Sequence, residues 1–280
     1  MRRRWQWAQT NVPVKIANYE LLLRDADLFQ GKRLQFDLVV LDEAQRIKNR
    51  SSTTSQVVRS IPRSRSWALT GTPIENSAED LVSIFEFLMP GYLNNNMRAR
   101  RIGRAASDYV LRRTKDRVMT DLPPKLYRDA ELELSRQQRD AYHTAEKEGV
   151  VQLSEMGQSL TIQHVFELIL RLKQICNFDP ASGVSSKMER LQADVEEVAA
   201  SGKKAIIFSQ WVRTLQMIDQ RLRPFGPMQY HGRIPASQRD AIIDKFRSSR
   251  SHHVLLMSYG AGSVGLNLQF CGYVFLFDRW

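Results

Sequence analysis

The sequence is poor in cysteine: Cys176 and Cys271 are the only two in 280 residues, and neither sits in a C-x-x-C or Cys/His spacing. That excludes a zinc framework and leaves two reduced thiols of a core. His164, His231, His252 and His253 offer no metal-ligand spacing either and read as surface or packing residues. Long apolar runs are missing. The runs at 39–41 and 273–277 fall far short of the ~20 residues a bilayer span needs. Residues 1–4 are basic, but no apolar h-region follows them, so no secretory signal and no membrane partner is expected, and the protein is expected to stay inside the cell. A phosphate-cradling G-x-x-x-x-G-K-[S/T] loop is absent from the sequence. Gly31-Lys32 continues into Arg33 and Gly202-Lys203 into Lys204, with no glycine at the required upstream position in either case. No internal repeat or low-complexity tract occurs.

What is present is an excess of positive charge, 41 Lys+Arg against 30 Asp+Glu, for a net of +11. The excess favours a polyanionic partner without proving one, since many basic proteins bind no nucleic acid. With 42% hydrophobic residues the chain is long enough for two domains, each with its own core. Short Val/Ile/Leu/Phe runs alternate with helical patterns, the signature of βαβ units and buried parallel sheets. Strands are predicted at 36–41, 66–69, 205–208, 254–257 and 273–277. Ser77 is placed to cap a helix ending near Leu88, with Asp80 in its third position and Pro90-Gly91 behind it. Residues 94–104 carry Arg98, Arg100, Arg101 and Arg104 and almost no large apolar side chain, and read as a linker or exposed arm. Residues 161–176 place Ile162, Val165, Phe166, Ile169, Leu172, Ile175 and Cys176 on one helical stripe that should pack on a core. Ser186 with Glu189 forms the expected capping box of the next helix, which ends near Gly202. The fold class is therefore α/β in two lobes, 1–105 and 106–280.

Two strand ends carry candidate chemistry. The apolar strand at 36–41 delivers Asp42 and Glu43 in succession, and open α/β sheets bind ligands at the carboxyl ends of their strands. Nucleotide hydrolysis asks for one carboxylate to hold Mg²⁺ and a group to position and deprotonate water; Asp42 is placed for the first and Glu43 for the second. The same dipeptide is also what the positive end of a helix favours. The second strand ends in Thr70-Gly71-Thr72, where a glycine permits a tight turn and two hydroxyls face the same sheet edge. Alone, it is an ordinary strand-to-helix turn.

The order of further motifs narrows these alternatives. Asp42 to Gln45 running into Arg46-Ile47-Lys48-Asn49, then the turn from Leu69 to Pro73 with Asn76, resembles the second and third helicase motifs of the SWI/SNF family of superfamily-two DNA translocases. Leu111-Arg112-Arg113-Thr114-Lys115-Asp116 and Asp121-Leu122-Pro123-Pro124-Lys125 resemble its inter-lobe segment. Ile207-Phe208-Ser209-Gln210-Trp211 is similar to the fourth motif, and Tyr230-His231-Gly232, with Arg239 and Phe246 behind it, to the elements that follow. Residues 259–268 resemble the fifth motif and Phe277-Asp278-Arg279-Trp280 the strand after it.

The resemblance implies two RecA-like lobes with parallel sheets, ATP and Mg²⁺ as cofactors, and double-stranded DNA as the track, with DNA-bound proteins as further partners. It implies Asp42 at the magnesium, Glu43 as the activator of water, and Gln45 coupling nucleotide state to Thr70, Gly71 and Thr72. Gly262, Gly265 and Asn267 would line the cleft and the DNA path, with Lys48, Arg113 and Lys125 as further DNA contacts. The pairs Arg100-Arg101 and Arg112-Arg113 stay open between phosphate contact and solvated surface. The family's phosphate loop precedes the acidic strand and its arginine motif follows the last strand, so the first lobe is expected to be incomplete at its start and the second at its end. The resulting expectation is a translocase motor that is catalytically incompetent as this chain alone. The alternative is a non-catalytic DNA- or protein-binding scaffold derived from such a motor. A bacterial member would be cytoplasmic and nucleoid-associated, a eukaryotic one nuclear.

Overall fold

The computed structural model describes residues 11–29, 34–72, 77–119, 121, 124–262 and 265–279. Two compact units, Met1–Pro124 and Lys125–Trp280, make up the chain.

In the first unit, helix α1 (Tyr19–Arg24) precedes strand β1 (Phe36–Leu41), and α2 (Thr53–Ser60) links β1 to a parallel partner, β2 (Arg63–Ala68). The inward residue Leu41 packs with Ala44, Ile47, Val58 and Phe87, and Val39 and Ala68 join that cluster. The opposite face of the strand pair, with Leu38, Val40, Trp67 and Leu69, is exposed, Trp67 by 61%. Helix α3 (Ala78–Leu88) starts on the expected capping box, with Ser77 and Asp80 exchanging hydrogen bonds with each other's backbone N–H groups. A following helix, α4 (Ala99–Ala106), lies where a linker is expected. Ile102 and Ala106 anchor it, buried against Leu81, Val82, Phe85 and Leu93, with Ala105 packed beside them. The short helix α5 (Lys115–Val118) is the last in this unit.

The second unit opens on a helical pair, α6 (Arg136–Glu155) and α7 (Ile162–Asn177), in close approach at Gly149, where a Cβ would meet Leu168 at 2.2 Å. Buried Gln138 joins three elements, donating from Nε2 to the carbonyl of Ile175 at 2.9 Å and accepting from the N–H of Ser186 at 3.2 Å. The stripe expected to be buried on α7 is buried only toward its C-terminal end, at Ile175; Ile162, Phe166 and Ile169 are 71%, 52% and 41% exposed. The physical reason is geometric: only the last turns reach the rest of the unit, where Gln138 holds them. Helix α8 (Ser186–Ala200) is capped by Ser185, one residue before the expected position, and is followed by Gly202 at φ 67°.

The sheet of this unit is parallel, in the order β4-β5-β3-β6, with β3 (Ala205–Ser209), β4 (Met228–Tyr230), β5 (Val254–Ser258) and β6 (Tyr273–Leu276). Its central strands read Ala-Ile-Ile-Phe-Ser and Val-Leu-Leu-Met-Ser because both faces are covered. Ile207, Val254 and Leu256 pack against Leu191, Val195, Leu215 and Ile218 of α8 and α9 (Val212–Arg221). Ile206, Leu255 and Met257 pack on the other side against Ile243 and Phe246 of α10 (Ala236–Ser248). A one-turn helix, α11 (Tyr259–Gly262), leaves the end of β5.

Candidate functional site

The carboxyl ends of β1 and β2 are locked together beyond the strands themselves. The N–H of Leu69 donates to the carbonyl of Leu41 at 2.7 Å, and that of Ala44 to the carbonyl of Leu69 at 2.9 Å. This places the acidic pair and the threonine turn at one sheet edge. Glu43 sits there in the left-handed region, φ 50° and ψ 51°, the only non-glycine residue with positive φ among the described residues. Such backbone is disfavoured for a residue with a Cβ and recurs where a side chain must be aimed.

Side chains then connect the two ends. Asp42 Oδ1 accepts from the N–H of Glu43 at 2.9 Å. Gln45 Nε2 donates to Glu43 Oε2 at 2.6 Å, while Gln45 Oε1 accepts from the Thr70 hydroxyl at 2.7 Å. The same Thr70 oxygen accepts from the N–H of Thr72 at 3.1 Å, and Gly71 and Thr72 are exposed. An unbroken chain of hydrogen bonds thus runs from Glu43 through Gln45 to the Thr70 turn. Five of the sequence-selected residues meet there, and Gly71 lies within the turn they form. Pro73 and Asn76 of the same motif lie outside the described residues.

Behind the pair stands Tyr19, which the sequence gives no reason to select. Its hydroxyl donates to the backbone carbonyl of Asp42 at 2.7 Å, and burial, opposed by Arg46 and helped by Asp42 and Glu43, pushes its pKa up to about 12. The Arg46 guanidinium stacks over the Tyr19 ring at 4.8 Å and pairs with Glu20, whose carboxyl is held below its usual range mainly by that hydrogen bond. The pairing spans more than twenty residues and leaves no local sequence signal.

The other selected residues are more dispersed. Lys48 caps the short turn after Ile47, and Arg113 is exposed in the first unit. In the second unit Lys125 is exposed and Gly262 ends α11. Gly265 takes φ 57° with open space around it, and the carbonyl of Asn267 accepts from Arg247 at 3.3 Å. Leu122, Pro123, Ser263, Val264 and Trp280 lie outside the described residues.

The second unit holds one group for which sequence reasoning found no role. Asp278, buried at the end of β6, accepts through Oδ1 from the N–H of Gln210 at 2.8 Å, and through Oδ2 from the Ser209 hydroxyl and from Asn177 Nδ2. Its backbone carbonyl accepts from the Tyr259 hydroxyl. Lys187 donates to Asn177 Oδ1 at 2.9 Å, and burial pulls the Lys187 pKa down. The carboxylate of Asp278 therefore fixes the ends of β3 and α7, and its backbone carbonyl holds the start of α11.

Glu43, at its left-handed position, is thus hydrogen-bonded through Gln45 to the turn that ends the neighbouring parallel strand. The SNF2-related domain matches residues 3–181 and the helicase conserved C-terminal domain residues 186–280, and the chain belongs to the SNF2-related family of helicase-like ATPase motors. Among its relatives are an uncharacterized ATP-dependent helicase of Mycoplasma genitalium, 30% identical over 95% of this chain, and the putative ATP-dependent helicase/translocase YwqA of Bacillus subtilis, 29% identical over 96%. The chain spans 28% and 32% of the length of these two relatives. The SWI2/SNF2 ATPase core domain of Sulfolobus solfataricus shares 30% identity, with a TM-score of 0.50 over 94% of this chain and 60% of that one. The fold class is the expected one, mixed α/β with parallel sheets. Among the described residues no helix is long and apolar enough to cross a membrane.

Proposed function

We propose that this chain is part of the motor of an ATP-dependent double-stranded DNA translocase, in which Asp42, Glu43 and Gln45 couple nucleotide hydrolysis to the Thr70–Thr72 turn. The observation that carries the reading is the hydrogen-bond chain from Glu43 through Gln45 to Thr70. The residues fit a magnesium nucleotide. Asp42 commits one oxygen to Glu43, and its other oxygen accepts nothing among the described residues. Those residues contain no group of three His, Cys, Asp or Glu that could cage a metal. A single carboxylate suits Mg²⁺, which keeps waters and takes substrate phosphates as its remaining ligands. When bound, the magnesium nucleotide supplies the transferable phosphoryl group and the counter-charge for it.

The rest is done by the chain. Glu43 presents a carboxylate that orients a water and accepts its proton, while the Gln45 amide holds that carboxylate in place. Because Gln45 bonds Glu43 and Thr70 at once, displacing the turn moves the base, and moving the base displaces the turn. Steps along any sequence call for contacts to phosphates rather than base edges, which Lys48, Arg113, Lys125 and the loop from Gly262 to Asn267 would make. The net charge of +11 suits that task. DNA-bound proteins are the obstacles such a motor would act on.

These 280 residues carry no phosphate loop, so by themselves they are expected to release no phosphate from ATP above a no-protein control. In a protein that joins them to a phosphate loop, Glu43→Gln should leave nucleotide binding intact and slow turnover by about 10²–10⁴, the usual contribution of a positioned base. Asp42→Asn should instead weaken binding of the magnesium nucleotide. Parental turnover in Glu43→Gln would overturn the assignment.

A further inference from the structure

Helix α4 is the most one-sidedly charged element of the first unit. Arg98 stands at its N-cap and Arg100, Arg101 and Arg104 lie within it. At 3.6 residues per turn, burying Ile102 and Ala106 turns Arg100 and Arg104 directly outward, one turn apart, with Arg101 beside them. All four arginines are exposed. No aspartate or glutamate occurs between Glu86 and Asp108, and Asp108 accepts from the Ser107 hydroxyl.

Some arginines elsewhere in the molecule pair with acids. Arg46 pairs with Glu20, Arg50 with Glu86, Arg139 with Glu133, Arg190 with Asp194 and Arg279 with Asp129. Among the described residues, none of the four on α4 has a carboxylate within 4.0 Å. Like charges at i,i+3 and i,i+4 weaken a helix. This helix therefore carries an unopposed repulsion that an anionic ligand would relieve.

We propose that the outer face of α4 is a contact surface for the phosphodiester backbone of duplex DNA, adding to the contacts considered above. The proposal rests on the DNA reading of the preceding section. Guanidinium is the fitting group: its planar fork bonds phosphate oxygens two at a time and stays charged at any physiological pH. Arg100 and Arg104 stand about 6 Å apart along the helix axis, a spacing from which long side chains reach neighbouring phosphates. Arginine also reads guanine edges, so a backbone contact is distinguished from base readout by equal binding to unrelated sequences.

The test uses the 280-residue chain and a fluorescent duplex of random sequence, titrated at several salt concentrations. Each lost phosphate contact lowers the log–log salt slope by about 0.9. Arg100→Gln with Arg104→Gln should therefore reduce the slope by about 1.8 and weaken binding equally for unrelated sequences, whereas the lysine pair at the same positions should keep most of the slope. Glutamine is a good helix former and the sites are exposed, so the melting temperature of the double variant should hold or rise as the repulsion is relieved. A parental duplex-binding chain whose double variant keeps the same slope would sink the proposal and leave the DNA reading standing. Failure of the parental chain to bind duplex at any salt would remove both. Displacement of the duplex by poly-glutamate as readily as by unlabelled duplex would overturn the proposal in favour of an acidic polypeptide.

Discussion

Glu43 supplies a test in which the sign of an ordinary stability difference should reverse. In most settings glycine is less stabilising than alanine by about 0.5–1 kcal/mol, because it surrenders more backbone freedom on folding. At φ 50° and ψ 51° a Cβ crowds the following carbonyl, at a cost of about 1–2 kcal/mol that glycine escapes. Glu43→Ala and Glu43→Gly both lose the hydrogen bond from Gln45 Nε2, so the difference between them isolates the backbone. At mid-range values of the two terms the glycine variant is the more stable by about 0.75 kcal/mol. For a unit of this size that corresponds to roughly 2–5 °C in melting temperature. Thermal and urea unfolding of the two variants, followed by circular dichroism and tryptophan fluorescence, read the difference directly. An alanine variant as stable as the glycine variant, or more so, would refute a left-handed residue 43 and with it the aiming of the carboxylate.

Two further outcomes concern the second unit. Asp278→Ala strands the N–H of Gln210, the Ser209 hydroxyl and the Asn177 amide, each at about 1–3 kcal/mol, so a loss of about 3 kcal/mol or more in urea unfolding is expected, with Asp278→Asn between it and the parent; a loss below about 1 kcal/mol would contradict the assigned bonds. His231 is buried with Nε2 against Gln229 and Nδ1 without a partner among the described residues, and burial, then Arg233 and Arg239, hold its pKa below the usual 6.5. A depressed folded pKa means stability that is present above 6.5 and lost as pH falls through the folded value, so unfolding free energy should drop on acidification below 6.5 and His231→Gln should flatten that drop; equal slopes for the two proteins would show that His231 does not titrate in this way.

The central strands were legible because buried parallel strands need uninterrupted apolar runs, as in Ala205–Ser209 and Val254–Ser258, whereas β2 (Arg63–Ala68) starts three residues before the expected 66 because its first half is polar, and the three-residue β4 (Met228–Tyr230) was not among the expected strands. The capping box at Ser77 was legible because it depends on two residues three apart. Helix α4 was not, since its four arginines hide the two buried residues, Ile102 and Ala106, that anchor it. The stripe on α7 misled for the opposite reason. Apolar periodicity reports a face, and whether anything covers that face depends on partners distant in sequence. In the site, Asp42 and Glu43 follow from strand position, and the pairing of Gln45 with Thr70 follows from the family resemblance. Tyr19 and Asp278 do not follow, because their partners are set by tertiary contacts across 23 and as many as 101 residues.

A motor of the proposed kind grips duplex DNA by its phosphates, and a salt titration decides whether this chain does so. A fluorescent random-sequence duplex is bound by the chain across a range of salt, and the measurement is repeated with Arg113→Ala and Lys125→Ala. The account predicts binding that is indifferent to sequence, with log affinity falling linearly in log salt and each substitution removing about 0.9 from the slope. A flat salt response, or a strong preference for one sequence, would mean that the net charge of +11 is a solvated surface and would contradict the account.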